Sequence, residues 1–161
     1  MLSSPSPPTP LPLGEGGARR RSGERGQSLV EFALMITLLL LLLAGILDLG
    51  RAYFTFLALR DAAGEGAYYG SVYPNWHTVA DNADPNNVEY RVKNSAPSGG
   101  LVNWDTVTVG VNAPDTSPAN PITVTATYSY TLVTPFIGAI VGSQTLPLTA
   151  SAVAEILSPG P

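Results

Sequence analysis

Few residues in this chain carry the chemistry of a catalyst. It has one histidine, His77, and no cysteine. Nucleophilic hydrolysis needs a hydroxyl or thiol beside a general base, so His77 would have to be that base. It sits in a stretch rich in Asn, Asp and Pro, residues 73–87, and no Gly-x-Ser-x-Gly elbow occurs anywhere. It reads as a loop histidine, and the chain as no enzyme. The same scarcity excludes disulfides, thiolate zinc sites, iron–sulfur ligation and a histidine-rich metal centre. No cofactor is expected. Asp81, Asp84, Asn86, Asn87 and Glu89 crowd oxygen atoms suited to a hard cation. A calcium loop counted from Asp81 puts Ala83 at a ligand position, and one counted from Asn82 puts Lys93 where the bidentate glutamate belongs. No metal site is therefore assigned, and Asp81, Asp84 and Glu89 stand only as candidates for a calcium-dependent surface, with an ordinary polar loop as the other reading. Glu31 demands a reason of its own, because it lies inside an apolar stretch. A carboxylate at the centre of a membrane span costs roughly 2.5 to 3.5 kcal/mol, and less near the interface. Its partner is either a cation from outside the helix, such as a lipid-level group or the amino terminus of another copy, or interfacial water.

The elements that must position these residues follow from charge and periodicity. Of 161 residues, 45% are hydrophobic and 12% charged, with a net charge of -4. A usual charged share is about a quarter, so the composition points towards a membrane. The acidic balance gives no footprint for nucleic acid. Residues 1–26 hold five prolines and five glycines and read as a disordered leader, too poor in bulky apolar side chains to fold. Arg19, Arg20, Arg21 and Arg25 close it, either as a solvated tail or as a topology signal.

Residues 32–47 carry no charge and include six consecutive leucines, 38–43. Extended to residues 29–49, the stretch is about 32 Å long as a helix, enough for a bilayer core of about 30 Å. This predicts one membrane span, with the arginine-flanked N-terminus in the cytoplasm and the remainder across the membrane. A cleaved secretory signal is disfavoured because no small-x-small site follows the leucines cleanly. At the far end of the span Asp48 has Arg51 three residues on, a helix-face neighbour.

Beyond the span, Leu49, Ala52, Tyr53, Phe56, Leu59, Ala63 and Ala67 recur at helical spacing. The helix is expected to end between Gly66 and Gly70, giving a segment 27–70. Ala62, Gly66 and Gly70 repeat every four residues, which suits close helix packing, or else fraying near the terminus. Period-two alternation then predicts four half-buried strands, at residues 88–92, 106–111, 122–132 and 148–156. Residues 135–141 are apolar but too short to cross a membrane, and read as a packed loop. The fold class is α+β: one long helix followed by a small antiparallel sheet in a β-rich domain, residues 71–161.

The string Arg25-Gly26-Gln27-Ser28-Leu29-Val30-Glu31-Phe32 resembles the processing site of type IV prepilins. In that family a prepilin peptidase cuts on the cytoplasmic side after a glycine, and a glutamate stands fifth in the mature chain. More closely, Gly-Gln-Ser-Leu-Val-Glu-Phe-Ala-Leu, the leucine run and Asp48-Leu49-Gly50-Arg51 resemble the TadE-like family, pseudopilins of the tight-adherence (Flp) pilus. The likeness covers residues 25–70 well and 122–156 loosely. It implies processing between Gly26 and Gln27, and assembly through Glu31 and Phe32. Phe32 stands where Flp major pilins tend to have tyrosine, which points away from a major pilin. The implied partners are the membrane, other pilins or pseudopilins, the peptidase and the pilus assembly platform. The rival class is a membrane-anchored, extracytoplasmic binding protein.

Overall fold

The computed structural model describes residues 4, 22–77, 87–95 and 100–157. The fold is α+β, a long N-terminal helix followed by a small antiparallel sheet with short helices. By their contacts the residues form two units, Met1–Leu41 and Leu42–Pro161. Asp81, Asp84 and most of the expected leader lie outside the described residues.

Helix α1, Ser22–Val72, starts inside the stretch read as leader and runs through both units. In the first unit every side chain from residue 26 to residue 40 is exposed. Such a surface suits lipid, because a helix keeps all its backbone polar groups paired internally. Thr37 does the same for its hydroxyl, donating to the Ala33 carbonyl at 2.8 Å.

The second unit is built on the remainder of α1. Its buried positions include Asp48, Thr55, Leu59, Ala62, Gly66 and Gly70, spaced three, four or seven apart along one helix face. The helical spacing groups Leu49, Tyr53 and Phe56 with Leu59, Ala63 and Ala67, but these first three turn outward. Leu49 is 71% exposed and Tyr53 58% exposed. The register is set by the small residues, against which other elements can come closest. Counting back from Gly66 by helical turns brings Asp48 and Thr55 inward and turns the bulky residues out.

The sheet has three strands in the order β1 (Thr108–Asn112), β2 (Pro121–Thr131) and β3 (Thr145–Glu155), all antiparallel. On β2, Ile122, Val124, Ala126 and Tyr130 are buried, as the alternation predicts. On the other face hydroxyls pair across strands, Thr125 with Ser151 at 2.9 Å and Thr127 with Thr149 at 3.2 Å.

The expected first strand is a helix, α2 (Val88–Asn94). Val88 and Val92 fit a period of two, but they also stand four apart and both are buried on one helical face. Local chemistry decides for the helix. The Asn87 side chain caps it by accepting the Tyr90 N–H at 2.9 Å, and Lys93 pairs with Glu89 at 2.8 Å across one turn. The 135–141 segment is likewise not a packed loop. It is helix α3 (Pro135–Val141), with Phe136, Ile140 and Val141 exposed. Thr134 precedes it, Pro135 opens it, and Gly142 closes it at φ 82°, a left-handed cap that suits glycine.

Helix α1 continues two residues past the expected limit, to Val72. Its end is held from outside, since the Leu157 N–H donates to the Ser71 carbonyl at 2.8 Å.

Candidate functional site

In the N-terminal motif, Gly26 lies in α1 with open space where a Cβ would be. One turn on, the Gln27 amide donates to a Glu31 carboxylate oxygen at 3.0 Å. The carboxylate therefore has a partner on its own helix face, and Phe32 beside it is 63% exposed. Gly26, Gln27, Glu31 and Phe32 thus lie along two exposed turns, open to whatever surrounds the helix.

Asp48 presents the opposite arrangement within the second unit. It is 3% exposed. Its carboxylate accepts the backbone N–H of Val133 at 3.1 Å, the backbone N–H of Thr134 at 3.0 Å, and the Thr134 hydroxyl. These donors lie at the junction of β2 and α3, so one side chain of α1 ties down the start of α3. Close by, the Tyr130 hydroxyl donates to the Asp48 backbone carbonyl at 3.4 Å. Burial raises the Tyr130 pKa above its ordinary value, with the nearby Asp48 charge adding to the effect. Sequence reasoning paired Asp48 with Arg51 and missed Thr134. The available signal was Thr134-Pro135, a cap residue followed by a proline at the first helical position, which marks a helix start and so a cluster of free N–H groups.

Farther along α1, Ala62 is fully buried and the two glycines meet other elements directly. A Cβ on Gly66 would run into the Val92 side chain and come within 3.2 Å of Val124; one on Gly70 would lie 2.6 Å from Ile122 and 3.3 Å from Val88. The four-residue repeat therefore places these positions where α2 and β2 cross the helix. Only residues without a side chain permit that approach.

Residues 26–67 match the family model of TadE-like protein. The matched stretch begins at Gly26 and runs through Glu31, Asp48 and Gly66, stopping short of α2 and the sheet. The match covers this segment alone, less than half of the chain. Among the described residues one helix, Gly26–Val72, is long and apolar enough to cross a membrane. No curated protein and no solved structure matches the chain.

Outside the TadE-like segment, Glu89 is engaged by Lys93, and its two companions in the calcium reading, Asp81 and Asp84, lie outside the described residues. Among the described residues no group of three or more His, Asp or Glu side chains gathers as metal ligands do. His77 is half-buried, and its carbonyl accepts the Glu89 N–H at 3.2 Å, which helps to set the start of α2.

Proposed function

We propose that the chain is a minor pilin, pseudopilin or pilus-assembly component of a tight-adherence system, held in the inner membrane by the first half of α1 with its C-terminal part outside. The observation that carries this reading is that the TadE-like match opens at Gly26, five residues before Glu31, at the head of an apolar helix whose residues 26–40 are all exposed. A prepilin peptidase cuts between Gly26 and Gln27. The bond lies within α1, and a peptidase threads extended backbone, so the first turns must unwind for the cut. Glycine at position 26 favours this, since it weakens a helix interior by about 1 kcal/mol relative to alanine. The cut leaves a new amine on Gln27, and Glu31 then neutralises the amine of an adjacent subunit where both are poorly solvated.

Intact mass measurement on protein from the native host tests processing: a terminus at Gln27 is expected, and a terminus at Met1 in the presence of the peptidase overturns it. Glu31→Ala tests assembly, because it should still be cut and reach the membrane at normal levels, yet lose its co-purifying pilus subunits. Unchanged co-purification refutes the role of Glu31.

A further inference from the structure

The connection between β2 and β3, residues 132–144, carries an apolar surface that nothing in the second unit covers. On α3, Phe136 is 51%, Ile140 68% and Val141 53% exposed. Exposure of this kind on a seven-residue helix would be costly in water, and its position along α1 explains it. The Ile137 side chain comes within 3.4 Å of where a Cβ on Gly45 would sit, and the Asp48 carboxylate holds the N–H groups of Val133 and Thr134. Helix α3 is thus fixed beside residues 45–48 of α1, next to exposed Leu42 and Ile46 in the uncharged stretch 32–47. If Leu42 and Ile46 face hydrocarbon, α3 shares their level.

The chain chemistry fits that environment. No charged residue occurs from 116 to 154. Several polar groups of the connection are also paired internally. The Leu132 N–H donates to the Gln144 carbonyl at 2.9 Å, the Gly142 N–H to the Gly138 carbonyl at 2.9 Å, and the Gln144 amide to the Pro135 carbonyl at 3.1 Å. In the hydrocarbon core irregular backbone is tolerated only where protein buries it, so an exposed connection with these bonds suits the interfacial layer and not the core. The buried Asp48 falls into place too, because its three donors shield a carboxylate that would otherwise face lipid.

We infer that α3 is a membrane-contacting element that rests in the interfacial layer of the bilayer, with Phe136, Ile140 and Val141 against lipid acyl chains. The inference rests on the membrane reading of α1. The chain has no cysteine, so single cysteines can be placed cleanly for nitroxide labelling of the full-length protein in phosphatidylglycerol–phosphatidylethanolamine vesicles. Collision with oxygen, which concentrates in lipid, is compared with collision with a water-soluble nickel chelate. Labels at Ile140→Cys and Phe136→Cys should show a several-fold excess of oxygen over nickel collision relative to Asn112→Cys, at the opposite end of the sheet by register. Two results overturn the inference while Leu39→Cys remains lipid-exposed: nickel access at 140 and 136 equal to that at 112, or shielding from both reagents, which would mean that a second copy covers α3. Nickel access at Leu39→Cys overturns the membrane reading and this inference with it.

Discussion

Leu38 and Leu59 stand on the same helix, yet Leu38 is 64% exposed and Leu59 fully buried. Two acids on that helix differ in the same way. Glu31 is exposed and meets a glutamine amide of its own helix, whereas Asp48 is buried under three donors from a distant part of the chain. Residue type and helical propensity do not separate these pairs. What separates them is the stripe of small residues, Ala62, Ala63, Gly66 and Ala67, which draws α2 and the sheet onto one half of α1. The other half, residues 29–43, is dominated by leucine together with Val30, Phe32, Met35 and Ile36, and keeps nearly all its side chains outward. One half of α1 is built to be covered by its own chain and the other by something else.

The most direct way to break this contrast is to truncate both leucines. Leu59→Ala should lower the unfolding free energy of full-length protein in detergent micelles by roughly 2 to 5 kcal/mol, as core leucines do. Leu38→Ala should leave the same transition, followed through Trp76 and Trp104, unmoved. Equal effects would mean that the exposed half also packs against the rest of the chain.

The two acids give the next test. Asp48→Ala removes an acceptor from three donors, and a charged hydrogen-bonding group of this kind is worth about 2 to 3 kcal/mol. Asp48→Asn retains one carbonyl oxygen and should fall between Asp48→Ala and the parent. Glu31→Ala should not shift the unfolding transition at all, which separates a positioning role in the fold from the assembly role proposed for Glu31.

Much of this contrast was legible in the sequence. The uncharged stretch 32–47, the four-residue repeat at Ala62, Gly66 and Gly70, and the alternation in 122–132 each follow from a period that needs only local counting. The inward face of residues 48–56 did not follow, because hydrophobicity favours Leu49, Tyr53 and Phe56, whereas the fold obeys the closest approach set farther along at Gly66 and Gly70. Helix α2 did not follow either, since Val88, Tyr90 and Val92 satisfy a strand and a short helix alike, and the Asn87 cap and the Glu89–Lys93 pair tip the balance. The partner of Asp48 lies 86 positions away at Thr134, and no local rule reaches so far. The N-terminal motif was legible as a string of residues, whereas the Gln27–Glu31 hydrogen bond along its own helix face was not.

A smaller effect sharpens the role of the glycines. Gly64 has open space where its Cβ would go, while Gly66 is closed in by Val92 and Val124. Gly64→Ala should stabilise the protein by about 0.5 to 1 kcal/mol through helix propensity and a less entropic unfolded chain. Gly66→Ala should destabilise it by about 1 to 2 kcal/mol, since an added methyl in a full core forces side chains apart. Thermal unfolding of the two variants side by side decides, and the same sign for both would remove the close-packing argument.

The smallest effect concerns a third carboxylate, which accepts a backbone N–H as Asp48 does but stands in water. Asp115, in the turn between β1 and β2, accepts the Ser117 N–H at 2.8 Å. That bond, with the Ser117 hydroxyl second, holds the Asp115 pKa below its ordinary value of 3.8. A depressed folded pKa means that the unfolded chain binds the proton more readily. The stabilisation is therefore complete above 3.8 and is lost as pH falls through the lower folded value. Asp115→Asn keeps an oxygen acceptor and removes the charge, so parent and variant should differ slightly at neutral pH and converge in strong acid. Solvent and salt screen an exposed group, and the difference at neutral pH should shrink further as salt is added. Chemical unfolding of both proteins across the acid range measures it, and a gap that persists undiminished far below 3.8 would show that the turn is held by the shape of the side chain and not by its charge.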